Sequence, residues 1–427
     1  PMTRLLIKGG TVLTMAGSNH AEADVLIEDG WISEIAPGLR DRSAEVIDAS
    51  EAIVMPGFVD AHRHLWRTIA KHLVDPAVVE GLAAHLEPDD VYASTLLGLV
   101  SSAAAGTTTL VDWCDVATSN AHLEAALQAH ADAGLRTVFA PGSHAAQDAW
   151  QGALDRVATS GAEPLQTIAA GPPDPGAGGL DATADGIEHA RELGIRSHVH
   201  VGAVDTDRGM VAEMGRRGLL GDDVTLVHCT RLDPADLDAL AAAGSPVVLT
   251  PSTEMAKGLG MPPVQEFLDR DVAPGLGVDD ESLAPGDVFA QMRATISLQH
   301  AMYFDLKLVG KAGLPNLMTT REVIRSATID GARAVGLADR TGSLEPGKRG
   351  DVLVLRTDRP NIYPINDPVG AVVWGMDSSN LDTVLVAGDA LVRDGEPVAD
   401  VANVRDLAES ALRRVGERSG LFQEAGA

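Results

Sequence analysis

Between Val54 and Val278 the chain repeats one pattern eight times: a short apolar or β-branched run, then a stretch with helical character. The runs fall at 54–64, 107–112, 136–140, 165–170, 196–201, 224–228, 246–250 and 272–278, with helical segments such as 91–105, 121–134, 185–193 and 234–243 between them. Strands that alternate with helices pair in parallel through right-handed crossovers, and eight such units predict an α/β fold of the closed (β/α)8 TIM-barrel type. An open doubly wound sheet is the rival, but no strand here runs into a G-x-G-x-x-G turn. In a closed barrel the reactive groups gather at the C-terminal ends of the strands, so function is to be sought there.

Short strands bracket this core. At the N-terminal side, 5–7 and 11–13 around Gly9-Gly10, and 25–27 and 31–32 around Asp29-Gly30, predict two hairpins. Past the barrel, 320–336 predicts one amphipathic helix capped by Thr319 or Thr320, and 351–355, 383–386 and 390–392 return to short β. The economical arrangement is one small β-sandwich built from both chain ends. Residues 1–54 and 341–400 then supply the sandwich, 55–340 the barrel, and 401–427 a closing helix and tail.

Charge and cysteine content narrow the setting. The 61 acidic against 33 basic residues give a formal net charge of −28. A surface of that sign repels a nucleic-acid backbone and an anionic membrane, so neither is expected as a partner. Only Cys114 and Cys229 are present, which excludes a disulfide scaffold and a four-cysteine zinc site and points to a reducing, cytoplasmic setting. No uninterrupted apolar stretch approaches bilayer length, the first residues lack the apolar segment of a secretory leader, and Pro1 ahead of Met2 reads as an added residue.

Four strand ends carry candidate ligands. The first ends in His62-Arg63-His64, and residues i and i+2 of a strand share a face about 6–7 Å apart, close enough for both imidazoles to reach one ion. The fifth ends in His198-Val199-His200, the sixth in Val227-His228-Cys229 and the eighth in Val278-Asp279-Asp280. Singly, each has an ordinary explanation as a packed or capping group. In a fold that converges its strand ends, four of them together predict a metal site, and neutral imidazole suits zinc as well as iron, nickel and copper.

With these blocks in place, the sequence resembles the amidohydrolase superfamily, in the branch that holds cytosine and guanine deaminases, S-adenosylhomocysteine deaminase and the triazine hydrolases. The likeness rests on Pro56-Gly57-Phe58-Val59-Asp60-Ala61-His62-Arg63-His64, Gly106-Thr107-Thr108-Thr109, Val227-His228-Cys229, Gly277-Val278-Asp279, and the stretches 327–334 and 342–348, and it spans nearly the whole chain. It implies a hydrolase of a small nitrogen heterocycle in which His62, His64, His200 and Asp279 hold one divalent ion, zinc ahead of iron. His228 and Asp279 would then handle the proton of the attacking water. Three imidazoles and one carboxylate leave an open position on such an ion, where water becomes far more acidic than in bulk. The fourth strand holds no lysine, so the carbamylated bridge of two-metal relatives is not available and one metal is expected. Family members are commonly homo-oligomers, and the same is expected here.

The departures from the family matter as much as the matches. Deaminases of this branch place a glutamate three residues after the fifth-strand histidine, where it protonates the ring and the departing ammonia; this chain has Ala203. Losing a general acid slows expulsion of a poor leaving group on the order of 10²- to 10⁴-fold. Asp205, Glu254, Asp280 and Glu281 are the conceivable replacements, each read more simply as a solvated loop carboxylate. The usual serine-asparagine after the seventh strand is Thr253-Glu254, and the usual histidine three residues past His228 is Arg231, so the pocket has diverged. Two enzymatic readings stay open: release of an amino group, or release of a stable anion (dechlorination) or opening of a cyclic amide. A non-catalytic binding protein is a third. Trp66, Arg67, Trp113 and His198 are the candidate substrate contacts, the loop 171–179 is expected to be flexible, and Cys229 is expected to pack behind His228.

Overall fold

The computed structural model describes residues 3–142, 148–159 and 164–420. Pro1, Met2, His144 and the tail 421–427 lie outside them. Eight parallel strands are present among the described residues: β1 (Phe58–Arg63), β2 (Thr107–Cys114), β3 (Arg136–Pro141), β4 (Gln166–Ile168), β5 (Ser197–Val201), β6 (Val224–His228), β7 (Val247–Leu249) and β8 (Gly275–Leu276). They pair as β1-β2-β3-β4 and β5-β6-β7-β8. Two seams close the ring, Ala170 bridging to Ser197 and Arg63 to Asp279. The barrel is therefore complete. Val59, Ala61, Val111, Val138, Ala140, Val227 and Val248 form one buried cluster with Ala332, Ala334, Val335 and Leu337 from the segment after the barrel.

The two chain ends meet in one nine-stranded sheet. Its junction is the antiparallel pair Ala52–Pro56 with Val352–Arg356, in which Val54 faces Val354. Ile7, Val25, Ile27, Val54, Val352, Val354 and Leu385 pack as its core. The closing helix, Val401–Ser419, returns to the barrel, where Arg414 and Arg418 both hold Asp90 at the start of the helix Pro88–Ala104. No helix among the described residues is long and apolar enough to cross a membrane.

Three expectations are corrected. The apolar run 54–64 is two strands in two different sheets, broken at Gly57. A Cβ there would lie 2.0 Å from Thr108 Oγ1, so the turn needs a glycine for close approach. The first hairpin is instead one strand, Arg4–Val12, with a register shift after Ile7. Gly9 takes a φ of +81° there, and its amide donates to Asp24 Oδ1 at 2.8 Å, so the glycine pair makes a bulge and no reversal. The helix expected over 320–336 is two, Thr320–Ser326 and Ile329–Ala334. Barrel groups take carbonyls on either side of the second piece, Val59 N donating to Ala327 O at 2.9 Å and Thr225 Oγ1 to Ala334 O at 2.7 Å. Tertiary hydrogen bonds override the helical period.

Candidate metal centre and active site

The strand ends converge as the barrel geometry demands. His62 Nε2 lies 3.1 Å from His200 Nε2 and 3.9 Å from Asp279 Oδ1, and His64 Nε2 lies 3.4 Å from that same oxygen. One ring nitrogen from each of the three histidines falls within 4.8 Å of the others. Ligands about 2.0–2.1 Å from a tetrahedral ion stand about 3.3 Å apart, so this donor set is spaced for a single divalent metal. Burial first, and then the neighbouring imidazoles, hold His62 well below the usual histidine range, which keeps it in the neutral form that a ligand needs. The outer nitrogen of His200 faces Asp174 Oδ1 at 3.2 Å, fixing the ring from behind. The loop expected to be flexible thus supplies an orienting carboxylate and a short helix, Pro175–Gly178.

Backbone conformation aims two of these side chains. His228 has a φ of +73° and Asp279 a φ of +70°, both in the left-handed region that only glycine enters freely. Such strain costs on the order of 1–3 kcal/mol and persists only where surrounding bonds over-determine it. At Asp279 they do: its N donates to His62 O and its O accepts from His64 N, both at 2.9 Å. The barrel seam and the candidate ligands are therefore one structure.

The carboxylates near the site depart from expectation. Glu254, Asp280 and Glu281 are buried, whereas Asp205 alone of the four candidates is exposed, paired with Arg231 and Arg208. Glu254 Oε1 is 3.1 Å from His228 Nδ1 and accepts from Thr250 N at 2.8 Å. Burial pushes its carboxyl up, against the pull of His228. For His228 burial pulls downward, but the Glu254 bond and the charge of Asp279 leave the ring above the usual histidine range. Asp280 accepts from Arg67 at 3.0 Å and from Lys257, and it is held far below the usual carboxylate range because these cations overcome burial. Glu281 sits within 3.0 Å of Arg63 and 2.9 Å of Lys71. A sequence reading cannot see partners so distant along the chain.

A cavity of about 410 Å³ opens on the site, lined among others by His64, His200, His228, Asp279 and Ala203. Arg67 and Trp113 also line it. Trp66 and His198 do not: Trp66 is buried with its indole nitrogen on Asp115, and His198 is buried with its carbonyl accepting from Trp113 Nε1 at 3.2 Å. Burial lowers His198 to about 3, so its ring is neutral. Two larger cavities, of about 600 and 640 Å³, share Asp271, Asp330 and Arg333 but carry no histidine or cysteine. Sequence reasoning missed Asp174, Asp115 and Lys257, which give no local signal. It also passed over Arg63, whose charge inside an apolar strand was itself a clue.

Comparisons with known proteins agree with this geometry. The model of the amidohydrolase family matches residues 53–391. A protein of Desulforamulus reducens named 5-methylthioadenosine/S-adenosylhomocysteine deaminase is 28% identical over 97% of this chain and 100% of its own length. One of Methanothermobacter thermautotrophicus named 5'-deoxyadenosine deaminase is 28% identical over 95% of this chain and 97% of its own. Among solved structures, a zinc-bound adenosine deaminase from Xanthomonas campestris superposes with a TM-score of 0.85 at 21% identity, covering 97% of this chain and 99% of that one. A zinc complex of atrazine chlorohydrolase from Arthrobacter aurescens gives 0.84 at 22%, covering 96% and 100%. With the family model spanning the barrel and much of the chain-end sheet, this chain belongs to the amidohydrolase family, hydrolases of carbon–nitrogen bonds.

Proposed function

We propose that this chain is a mononuclear zinc-dependent aminohydrolase that removes an amino group from a small nitrogen heterocycle, with adenine nucleosides altered at the 5′ position as the first class to test. The observation that carries the reading is the convergence of His62, His64, His200 and Asp279 on one point at the end of the 410 Å³ cavity. Relatives that match nearly full length and carry deaminase names supply the substrate class. In this reading the four residues hold the ion, zinc ahead of iron. Bound there, it supplies Lewis-acid activation of water.

The protein groups do the rest. Asp279 accepts the water's proton at its carboxylate, and His228 hydrogen-bonds the charge that develops on the substrate. Trp113, whose ring centre lies 4.5 Å from that of His200 and 5.5 Å from that of His64, offers a wall for a planar base. His198 supports that wall from behind, its carbonyl accepting from the Trp113 indole, and Trp66 anchors Asp115, which also lines the cavity. Arg67, held by Asp280 and Glu80, sets the polarity of the mouth. The reading includes a homo-oligomer in the cytoplasm, acting on a small molecule.

A second reading is favoured by one observation. Ala203 lines the cavity, leaving an apolar methyl where the branch keeps its acid. A leaving group that departs as a stable anion, or a cyclic amide, needs less acid help. Product analysis decides between them. Purified protein is expected to carry about one zinc per chain and to release ammonia from an adenine-nucleoside panel. His62→Ala should lose the metal, and Asp279→Ala should lower turnover about 10³-fold or more. Chloride or ring-opened product without ammonia would select the second reading, and wild-type turnover in either variant would refute both.

A further inference from the structure

Glu254 is fully buried beside the site, and none of the roles above uses it. Its Oε1 accepts from Thr250 N at 2.8 Å and faces His228 Nδ1 at 3.1 Å, while Thr250 Oγ1 lies 3.2 Å from the same ring nitrogen. Its Oε2 is also buried and has no hydrogen-bond partner among the described residues. A half-satisfied buried carboxylate is unfavourable; Oε1 also holds Thr250 N, at the start of the six-residue helix Pro251–Ala256, but that bond leaves Oε2 unmet. His228 needs support, because its left-handed backbone directs the ring away from the course a strand residue would take. Thr250 N at 2.8 Å and Thr250 Oγ1 at 3.3 Å already donate to Oε1, so this oxygen acts as an acceptor, the hydrogen of the contact sits on His228 Nδ1, and Nε2 is left for the cavity that His228 lines.

We infer that Glu254 is the positioning residue of His228: it fixes the ring's tautomer and direction so that Nε2 meets the substrate in the cavity. The inference rests on the reading that His228 serves the reaction. It also explains why a carboxylate occupies a position where the resemblance leads one to expect asparagine. Besides Asp279, the carboxylates that line the cavity are Glu80, Asp115 and Asp174; Glu254 is not among them and stands behind the histidine.

The test uses the full-length metal-loaded enzyme with Glu254→Gln, Glu254→Ala, His228→Asn and the double variant His228→Asn/Glu254→Gln. Glu254→Gln should keep metal content and melting temperature near wild type, lower kcat about 10- to 100-fold, and change KM by less than about twofold. Adding Glu254→Gln to His228→Asn should cause no further loss, since the two residues act as a unit. Wild-type kcat in both Glu254 variants, or losses that multiply in the double variant, would overturn the inference. A second readout is free of catalysis: nitrogen-15 spectra of the histidine rings, with His228 assigned through His228→Asn, should show an Nδ1–H ring in wild type that is lost in Glu254→Ala. Retention of that tautomer in Glu254→Ala overturns the positioning role whatever the activity. A Glu254-dependent tautomer in a protein inactive on every heterocycle supports the positioning bond and sinks the proposed reaction instead.

Discussion

The barrel closes at two seams made of different material. At the seam between β4 and β5, Ala170 N donates to Arg196 O and His198 N to Ala170 O, both at 2.8 Å, and the flank is apolar, with Trp150, Ala170 and Ala190 in one cluster. At the seam between β8 and β1, the backbone bonds of Asp279 to His62 and His64 are flanked by buried charge. Arg63, only 1% exposed, donates to Asp60 at 3.1 Å, Ser102 at 2.7 Å and Gly286 O at 3.2 Å, and lies 3.0 Å from Glu281; Asp60 in turn accepts from Val278 N at 3.0 Å. Buried ion pairs are weak evidence for net stability, since apolar replacements of the same shape often do as well. What they add is direction. An apolar contact tolerates a slide of some tenths of an ångström, whereas a guanidinium shared among fixed acceptors does not, and the polar seam is the one that carries three of the four candidate ligands.

The comparison can be broken where it is strongest. Arg63→Ala leaves Asp60 buried without its cation and Glu281 with Lys71 alone, and urea denaturation should report a loss of about 3–5 kcal/mol, with weakened metal retention. A loss below about 1 kcal/mol would mean that the backbone alone holds the seam. Gly277→Ala wedges the same seam without touching charge, because the added Cβ would lie 2.7 Å from both N and O of His62. It should destabilise by about 1–3 kcal/mol and lower metal content, measured by melting and elemental analysis. At the apolar seam, Trp150→Phe removes the indole bond to Pro141 O at 2.9 Å and some packing. A cost of about 1–2 kcal/mol with turnover within twofold is expected there. Should it impair turnover as much as Gly277→Ala, the two seams are equivalent and the contrast fails.

The smallest effect lies away from both seams and sets the floor of the scale. Burial, then the hydrogen bond to Asp132 at 2.8 Å, pushes the Tyr92 phenol up to about 12. A folded value above the unfolded one of about 10 favours the neutral form in the native state. Its contribution is therefore complete below pH about 10, falls as pH rises, and is gone above about 12. Phenolate absorbance should show a late-titrating tyrosine that Tyr92→Phe removes, and that variant should flatten the alkaline limb of the stability curve. An unchanged late titration would assign it elsewhere.

The site was legible in the sequence to the extent that it obeys local rules. An H-x-H triplet ending an apolar run needs only the two-residue period of a strand to put both rings on one face. The fifth, sixth and eighth runs likewise announce His200, His228 and Asp279 at their ends. Burial of charge was not legible. Glu254, Asp280 and Glu281 follow strand ends in stretches that read in sequence as solvated loop, and what makes each one structural is a partner met only in space: His228 for Glu254, Arg67 and Lys257 for Asp280, Arg63 and Lys71 for Glu281. Trp66 and His198 show the reverse error, since proximity to a strand end places a residue near the mouth but does not say whether it faces the cavity or the core.

By itself, then, the sequence determined the alternation of strand and helix, the closed barrel that alternation requires, and the residue types at the strand ends, because hydrophobic period and strand polarity are properties of neighbouring residues. Only the tertiary structure decided where the run 54–64 breaks, which carboxylates are buried, and how tightly His62, His64 and Asp279 are locked to one another. Those outcomes depend on a Thr108 side chain against Gly57 and on hydrogen bonds that join residues more than two hundred positions apart, and contacts at that range leave no period in the sequence.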